Sequence, residues 1–169
     1  AHFQQTHAIM TTLAEQMSVA PQDLVAAVGH QSDDLKSAQK DAGELRLELL
    51  GFEAQNMAAQ AESVASYRLV KGRFENRPVE ELQSLAKEFL PMSGVIALLA
   101  GRTGKKFTLV VACSDRVDVP ARGILQAHLS GLRGGGGGGD RLAQGGGTIT
   151  AQQFEGFFDR SDEIIKSLL

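Results

Sequence analysis

The sequence predicts an α+β fold: a long helical, coiled-coil-like arm over residues 1–65, then a small α/β domain over 66–169 with a mixed sheet and a Gly-rich loop. Three observations predict it. Apolar residues recur at intervals of seven between Leu24 and Phe52, the spacing of a helix that packs along one stripe. From Tyr67 onward, short apolar runs alternate with helical patterns, the order that surrounds a sheet with helices. Nine of the 19 glycines crowd between Gly134 and Gly147, where neither a helical nor an alternating period survives.

The arm opens with a helix over residues 3–18, because Phe3, Ile9, Met10, Leu13 and Met17 share one face. Val19-Ala20-Pro21 breaks it. Pro21 then suits the first turn of a second helix, where its missing N–H is not needed. That helix runs from Leu24 to about Ala65. One seam takes Val28, Leu35, Ala42 and Leu49; its companion takes Leu24, Gln31, Ala38, Leu45 and Phe52. Gln31 is polar, and Gly29, Gly43 and Gly51 each cost helix stability of up to about 1 kcal/mol. The stripe fits two uses, packing on the chain's own globular part or pairing with another helix. Alone, the arm carries too little apolar surface to be stable.

Tyr67-Arg68-Leu69-Val70-Lys71-Gly72-Arg73-Phe74 reads as a strand with one basic face. Pro78 opens a helix with Glu80 and Glu81 in its first turn, where carboxylates oppose the helix dipole. Its stripe is Val79, Leu82, Leu85, Ala86 and Phe89, and Pro91 ends it. The run 94–100 and the run 106–113 flank the turn Gly101-Arg102-Thr103-Gly104 and read as a hairpin of buried strands. Pro120 begins a helix reaching about Leu132. Thr150-Ala151-Gln152-Gln153 has capping-box spacing, and Phe154, Phe157, Phe158, Ile164, Ile165 and Leu168 give the last helix its buried face.

Composition narrows the function. Hydrophobic residues make up 43% and charged residues 22%, ordinary for a folded soluble chain. Cys113 is the lone cysteine, so no internal disulfide forms, and a reducing, cytoplasmic setting is expected. No eighteen-residue apolar stretch exists to span a membrane, and His2-Phe3-Gln4-Gln5-Thr6-His7 does not read as a signal peptide. A start at Ala1 without Met is expected of a fragment of something longer; a processed chain looks the same. The net charge of −3 hides an asymmetry. Residues 1–66 hold three basic and nine acidic side chains, whereas 67–148 hold twelve basic and seven acidic. A basic segment inside an acidic chain fits a patch for a polyanion or an unevenly charged solvated surface.

The glycine-rich stretch also carries two readings. Six consecutive glycines can be a flexible linker. Yet Arg141-Leu142-Ala143-Gln144 interrupts the run and a capped helix comes after it, which a spacer does not need. Backbone without Cβ atoms can approach phosphate or ribose oxygens closely. The stretch is no Walker loop, because no Gly-Lys-Ser or Gly-Lys-Thr closes it. It is no dinucleotide fingerprint, because it comes after a helix.

Gly134 to Gly139 followed by Asp140-Arg141-Leu142-Ala143-Gln144-Gly145-Gly146 resembles the signature near the C-terminus of alanyl-tRNA synthetases and free-standing alanyl-tRNA editing proteins. The order of elements around it is similar too, over nearly the whole chain. The segment His2 to Val19 is closer to the free-standing editing proteins. The same domain type accompanies DHH-family phosphoesterases, which usually carry His after the glycines, where this chain has Asp140. The resemblance implies a module that binds alanine tRNA and forms a homodimer through the arm, in a hydrolase that removes wrongly attached amino acids. A module of a full ligase, a purely structural dimerisation element and a phosphoesterase-type nucleotide binder are the alternatives.

No catalytic or metal site is expected in this fragment. The family's editing chemistry holds zinc with His-x-x-x-His and Cys-x-x-x-His pairs. Here His2 and His7 are five apart, and Val117 stands where the partner of Cys113 would be. Zinc and catalysis are therefore assigned to an editing domain elsewhere in the parent, and no cofactor to these residues. The expected nucleic-acid contacts are Gly136, Gly137, Gly138, Gly139, Gly145 and Gly146, with Arg133, Asp140, Arg141 and Gln144 around them and Arg102, Lys105 and Lys106 in the hairpin turn. Glycine N–H groups would donate to RNA oxygens, and the cations would neutralise phosphates. With few aromatics to stack on, folded RNA shape rather than unpaired bases is the expected target.

Overall fold

The computed structural model describes residues 2–169, with side chains from residue 5 onward. The side chains of His2 and Phe3, read above from the sequence, lie outside the described part. The chain divides into two compact units, Ala1–Arg46 and Leu47–Leu169.

The first unit contains α1 (His2–Gln16), a 3-10 turn at Pro21–Asp23 and the beginning of α2 (Leu24–Ala59). Ser18 ends α1 with a φ of 54°, and the N–H of Val19 closes back on the carbonyl of Ala14 at 3.0 Å. Pro21 opens the 3-10 turn that leads into α2, a place its fixed φ favours. The heptad stripe is uncovered here: Val28 is 52% and Leu35 59% exposed.

In the second unit the remainder of α2 buries Leu50, Ala54 and Ala58. These lie at steps of four, a different face from the heptad positions Leu49 and Phe52, which stay exposed. The chain's own core therefore takes one stripe of α2 and leaves the other free. α2 stops at Ala59, short of the expected Ala65, because β1 (Glu62–Val64) comes next and pairs with β2 (Tyr67–Glu75). Ala65, with a φ of 53°, makes the tight turn between them.

The other elements are α3 (Val79–Glu88), β3 (Val95–Thr103), β4 (Lys106–Cys113), α4 (Ala121–Leu129), β5 (Gly134–Gly138), β6 (Leu142–Thr148), α5 (Ala151–Glu155) and α6 (Ser161–Leu168). The six strands form one mixed sheet in the order β1-β2-β3-β4-β6-β5. β2 and β3 run parallel, joined through α3, and all other neighbours are antiparallel. On one face Leu82, Leu85 and Phe89 of α3 and Leu50 and Ala54 of α2 cover Val70, Ala97, Leu99 and Val110. On the other, Ile124 and Leu125 of α4, Phe154 and Ile165 cover Ile96, Leu98, Leu109 and Val111. Each of the Val, Leu, Ile and Phe side chains among these, fully buried, contributes about 1.5–3 kcal/mol. Arg77 ties the first face together: its guanidinium bonds both Glu53 oxygens at 2.7 Å and Glu81 at 3.0 Å.

Three further expectations need correction. The glycine stretch is not a loop: it forms the edge hairpin β5–β6, with only residues 139–141 as its turn. Backbone hydrogen bonding, which needs no side chains, builds it. The last helix is two short ones: α5 ends at Glu155, capped by Gly156, and α6 starts at Ser161. The capping box at Thr150 and Gln153 is present, with the Gln153 N–H donating to Thr150 Oγ1 at 3.2 Å. α4 also ends three residues before the expected Leu132, because Gly131 takes a φ of 92°.

Candidate nucleic-acid interface

Residue alternation decides what the glycine hairpin presents. Val110 of β4 faces α3, and so do Thr108 and Lys106 two and four residues before it. Across the sheet, Val110 pairs with Gln144 and Thr108 with Gly146; Gln144 in turn pairs with Gly137, and Gly146 with Gly135. The face that α3 covers over β3 and β4 thus continues outward over β6 and β5 as a shelf almost without side chains. A Cβ placed on Gly135 or Gly137 would meet nothing within 4 Å. On the opposite face the hairpin is packed: a Cβ on Gly145 would lie 2.7 Å from Cδ1 of Leu129 in α4.

The shelf is one wall of a groove. The other is a row of α3 side chains at steps of four, Val79, Gln83 and Lys87. A cavity of about 450 Å³ is lined by Val79, Thr108, Gly135, Gly136, Gly137, Gln144, Gly145 and Gly146. A neighbouring one of about 250 Å³ is lined by Gln83, Lys87, Val110, Gly137, Gly138, Leu142, Ala143 and Gln144. The Gln83 amide donates to the Gln144 side-chain oxygen between the walls.

Three cations border the groove. Lys87 stands at the Leu142 end. At the other end, Lys106 pairs with Thr148, whose N–H donates to the Arg133 carbonyl at 3.3 Å. All three are exposed, and none makes an ion pair among the described residues. Backbone groups on the floor and unpaired cations at both ends suit an anionic ligand with a flat or close-approaching face.

Of the residues expected from the sequence, Gly136, Gly137, Gly138, Gln144, Gly145 and Gly146 line the groove, and Arg133 and Lys106 flank it. Lys105 is exposed in the β3–β4 turn, where its carbonyl accepts from the Ile149 N–H at 3.1 Å. Arg102 is on the opposite face. Its Nε and Nη2 bond Glu75 at 3.0 and 2.8 Å, and its guanidinium lies 5.5 Å from the Phe154 ring. Gly139, Asp140 and Arg141 form the hairpin turn. The Asp140 carbonyl accepts from the Ala121 N–H at 2.7 Å. Arg141 is 2.8 Å from Asp115 and donates to the Leu90 carbonyl at 3.0 Å. A further cavity of about 320 Å³ beside this turn holds Asp115, Asp118 and Asp140 against Arg116 and Arg141, an acid excess that repels phosphate. Sequence reading missed Gly135, Leu142 and Ala143 within the glycine stretch, and Val79, Gln83, Lys87, Thr108 and Val110 outside it. The spacing 79-83-87, beside the buried stripe of α3, was the available signal.

Nucleophilic chemistry finds no support in the groove. Cys113 is buried and its thiol is pushed up to about 12 by burial, so it stays protonated near neutral pH. His128 of α4 and Ser161 of α6 are 3.0 Å apart, but both are buried. Among the described residues no group of three or more His, Cys, Asp or Glu side chains could hold a metal ion, and no helix is long and apolar enough to cross a membrane.

The DHHA1 domain matches residues 61–167. The chain belongs to the DHHA1 domain family. It is similar over 86% of its length to an alanine–tRNA ligase of Acetivibrio thermocellus, at 28% identity, and over 85% to that of Acidothermus cellulolyticus, at 31%. It spans 17% of the length of each of these relatives. Among solved structures it resembles the C-Ala domain of Aquifex aeolicus alanyl-tRNA synthetase, with a TM-score of 0.57 and 31% identity, over 62% of this chain and 96% of that one. The DHHA1 match takes in the groove, α3 and both glycine strands, and it begins after α2. The alanyl-tRNA synthetase resemblance read from Gly134–Gly146 is thus that of a DHHA1 chain with alanine–tRNA ligase relatives.

Proposed function

We propose that this chain is a tRNA-docking module of a protein that acts on alanine tRNA, and that the glycine shelf with its bordering cations is where RNA sits. The single observation that carries the reading is the side-chain-free backbone of Gly135 and Gly137 between the unpaired Lys87, Lys106 and Arg133. Sugar–phosphate backbone can approach such a surface closely, and folded RNA presents it as a shape. The exposed heptad residues of α2 support self-association of the arm as the module's second role.

The parent is read as an alanine–tRNA ligase, because the relatives that match the arm as well as the DHHA1 region are ligases. The likeness of residues 2–19 to free-standing editing proteins supports a second reading, a hydrolase of mischarged alanine tRNA with zinc in its own editing domain. Either reading rests on the same groove of this chain.

The test is an anisotropy titration with alanine tRNA, an unrelated tRNA and a short single strand at two salt concentrations. Salt-sensitive binding to folded tRNA, weakened severalfold in the Lys106→Ala/Arg133→Ala double variant, is the expected result. A dimer by light scattering with no affinity for any RNA would leave only the self-association role.

A further inference from the structure

The groove has two compartments, and the larger is defined by the glycine floor. The smaller adds Gln83 and Lys87 of α3, which lie outside the glycine motif, to a wall made by Val110 and the hairpin. Both share Gly137 and Gln144 as lining, so the Gln144 side chain stands at the boundary between them. It is tethered there at one atom: Gln83 Nε2 donates to its Oε1. Gln83 is itself half-buried on α3, in the row that carries Lys87 one turn further on. We propose that the Lys87 compartment is a phosphate subsite of the RNA site, and that Gln83 is a positioning residue that holds Gln144 as the partition between this subsite and the glycine shelf.

The inference rests on the RNA-docking reading above and extends it to residues outside the glycine motif. The groups present set the chemistry. Lys87 offers an unpaired ammonium, which takes phosphate as a point charge. With its oxygen occupied by Gln83, the Gln144 amide presents its NH2 group, a donor only, to whatever lies in the groove. A glutamine loses much rotamer freedom when a ligand fixes it. Fixing Gln144 before RNA arrives removes that cost from binding. The plain competing account is that Lys87 only offsets the C-terminal dipole of α3 and that the amide pair is an incidental surface contact.

The two accounts separate in one experiment on the full chain. Alanine tRNA is titrated over a range of salt with wild type, Lys87→Ala, Gln83→Ala, Gln144→Ala and the Gln83→Ala/Gln144→Ala double variant, and each melting temperature is recorded. Loss of Lys87 is expected to weaken binding severalfold and to lower the slope of log affinity against log salt by about one. Loss of Gln83 is expected to weaken binding roughly fivefold, the worth of one neutral hydrogen bond, and to cost nothing further once Gln144 is gone. An unchanged salt slope in Lys87→Ala, with a lower melting temperature, overturns the phosphate subsite. A Gln83 effect that persists in full without Gln144 overturns the positioning role. If wild type binds no RNA, the docking reading falls and the subsite with it; if wild type binds and these variants match it, only the subsite falls.

Discussion

The sheet contains two antiparallel hairpins made the same way from opposite materials. β3 and β4 pair over eight positions with Val, Leu, Ile and Ala, buried along most of their length. β5 and β6 pair over five positions, and eight of those ten residues are glycine. The first hairpin holds the fold through its side chains on both faces. The second contributes only the partly buried Leu142 to the core on the α3 face and presents mostly backbone there instead. One sheet thus divides side-chain packing from open backbone surface between neighbouring strands.

That contrast can be broken at its strong end first. Leu99→Ala removes a fully buried side chain of β3 and is expected to cost about 2–5 kcal/mol in chemical denaturation. Next comes the packed face of the glycine hairpin. A Cβ on Gly136 would run into Gly145 Cα and stand 2.6 Å from the Gln144 carbonyl oxygen. Gly136→Ala is therefore expected to destabilise by about 1–3 kcal/mol. Gly137→Ala is its control, because nothing stands in its way. Stability there should change by less than about 1 kcal/mol, while RNA affinity drops because a methyl group now covers the shelf. If both alanines behave alike in melting and in binding, the two faces are not distinct.

Between these in size lies a pH effect on α4, which backs the glycine hairpin. Burial holds the His128 imidazole below its ordinary value, with a smaller opposing effect from the hydrogen bond to the Ile124 carbonyl. The unfolded chain then binds the proton more readily than the folded one. The stabilising contribution is complete above the unfolded value of about 6.5 and is lost as pH falls below it. A decline no steeper than about 1.4 kcal/mol per pH unit is expected below pH 6.5, and it should be missing from the curve of His128→Gln. A wild-type curve flat from pH 7 to 5 would contradict it.

Much of this was legible in the residues. The β3–β4 hairpin, α3 and the capping box at Thr150 all have local signals: a continuous apolar run, a stripe after Pro78, a hydroxyl three residues before Gln153. The glycine hairpin was not legible as strands, because strand patterns are read from alternating side chains and glycine has none. The outward placement of Arg102 was also hidden, since its partner Glu75 is 27 residues away on another strand. Six glycine-motif residues of the groove were readable from composition and resemblance. The α3 wall was not, because Val79, Gln83 and Lys87 look like the ordinary outer side of a surface helix until a sheet edge is set against them.

A pairing of glycine with glycine has no teeth. Ordinary strands resist sliding past one another because a shift of one residue turns every buried side chain outward. Along β5 such a shift changes almost nothing, so alignment must come from the ends. At one end the Gly139 N–H donates to the Leu142 carbonyl at 2.9 Å and the Ala121 N–H clasps the Asp140 carbonyl; at the other the Thr148 N–H holds the Arg133 carbonyl at 3.3 Å. These few backbone bonds choose one alignment out of several nearly equal ones. Asp140 and Arg133 therefore work as the two stops of a slide, and the shape of the groove depends on both staying closed.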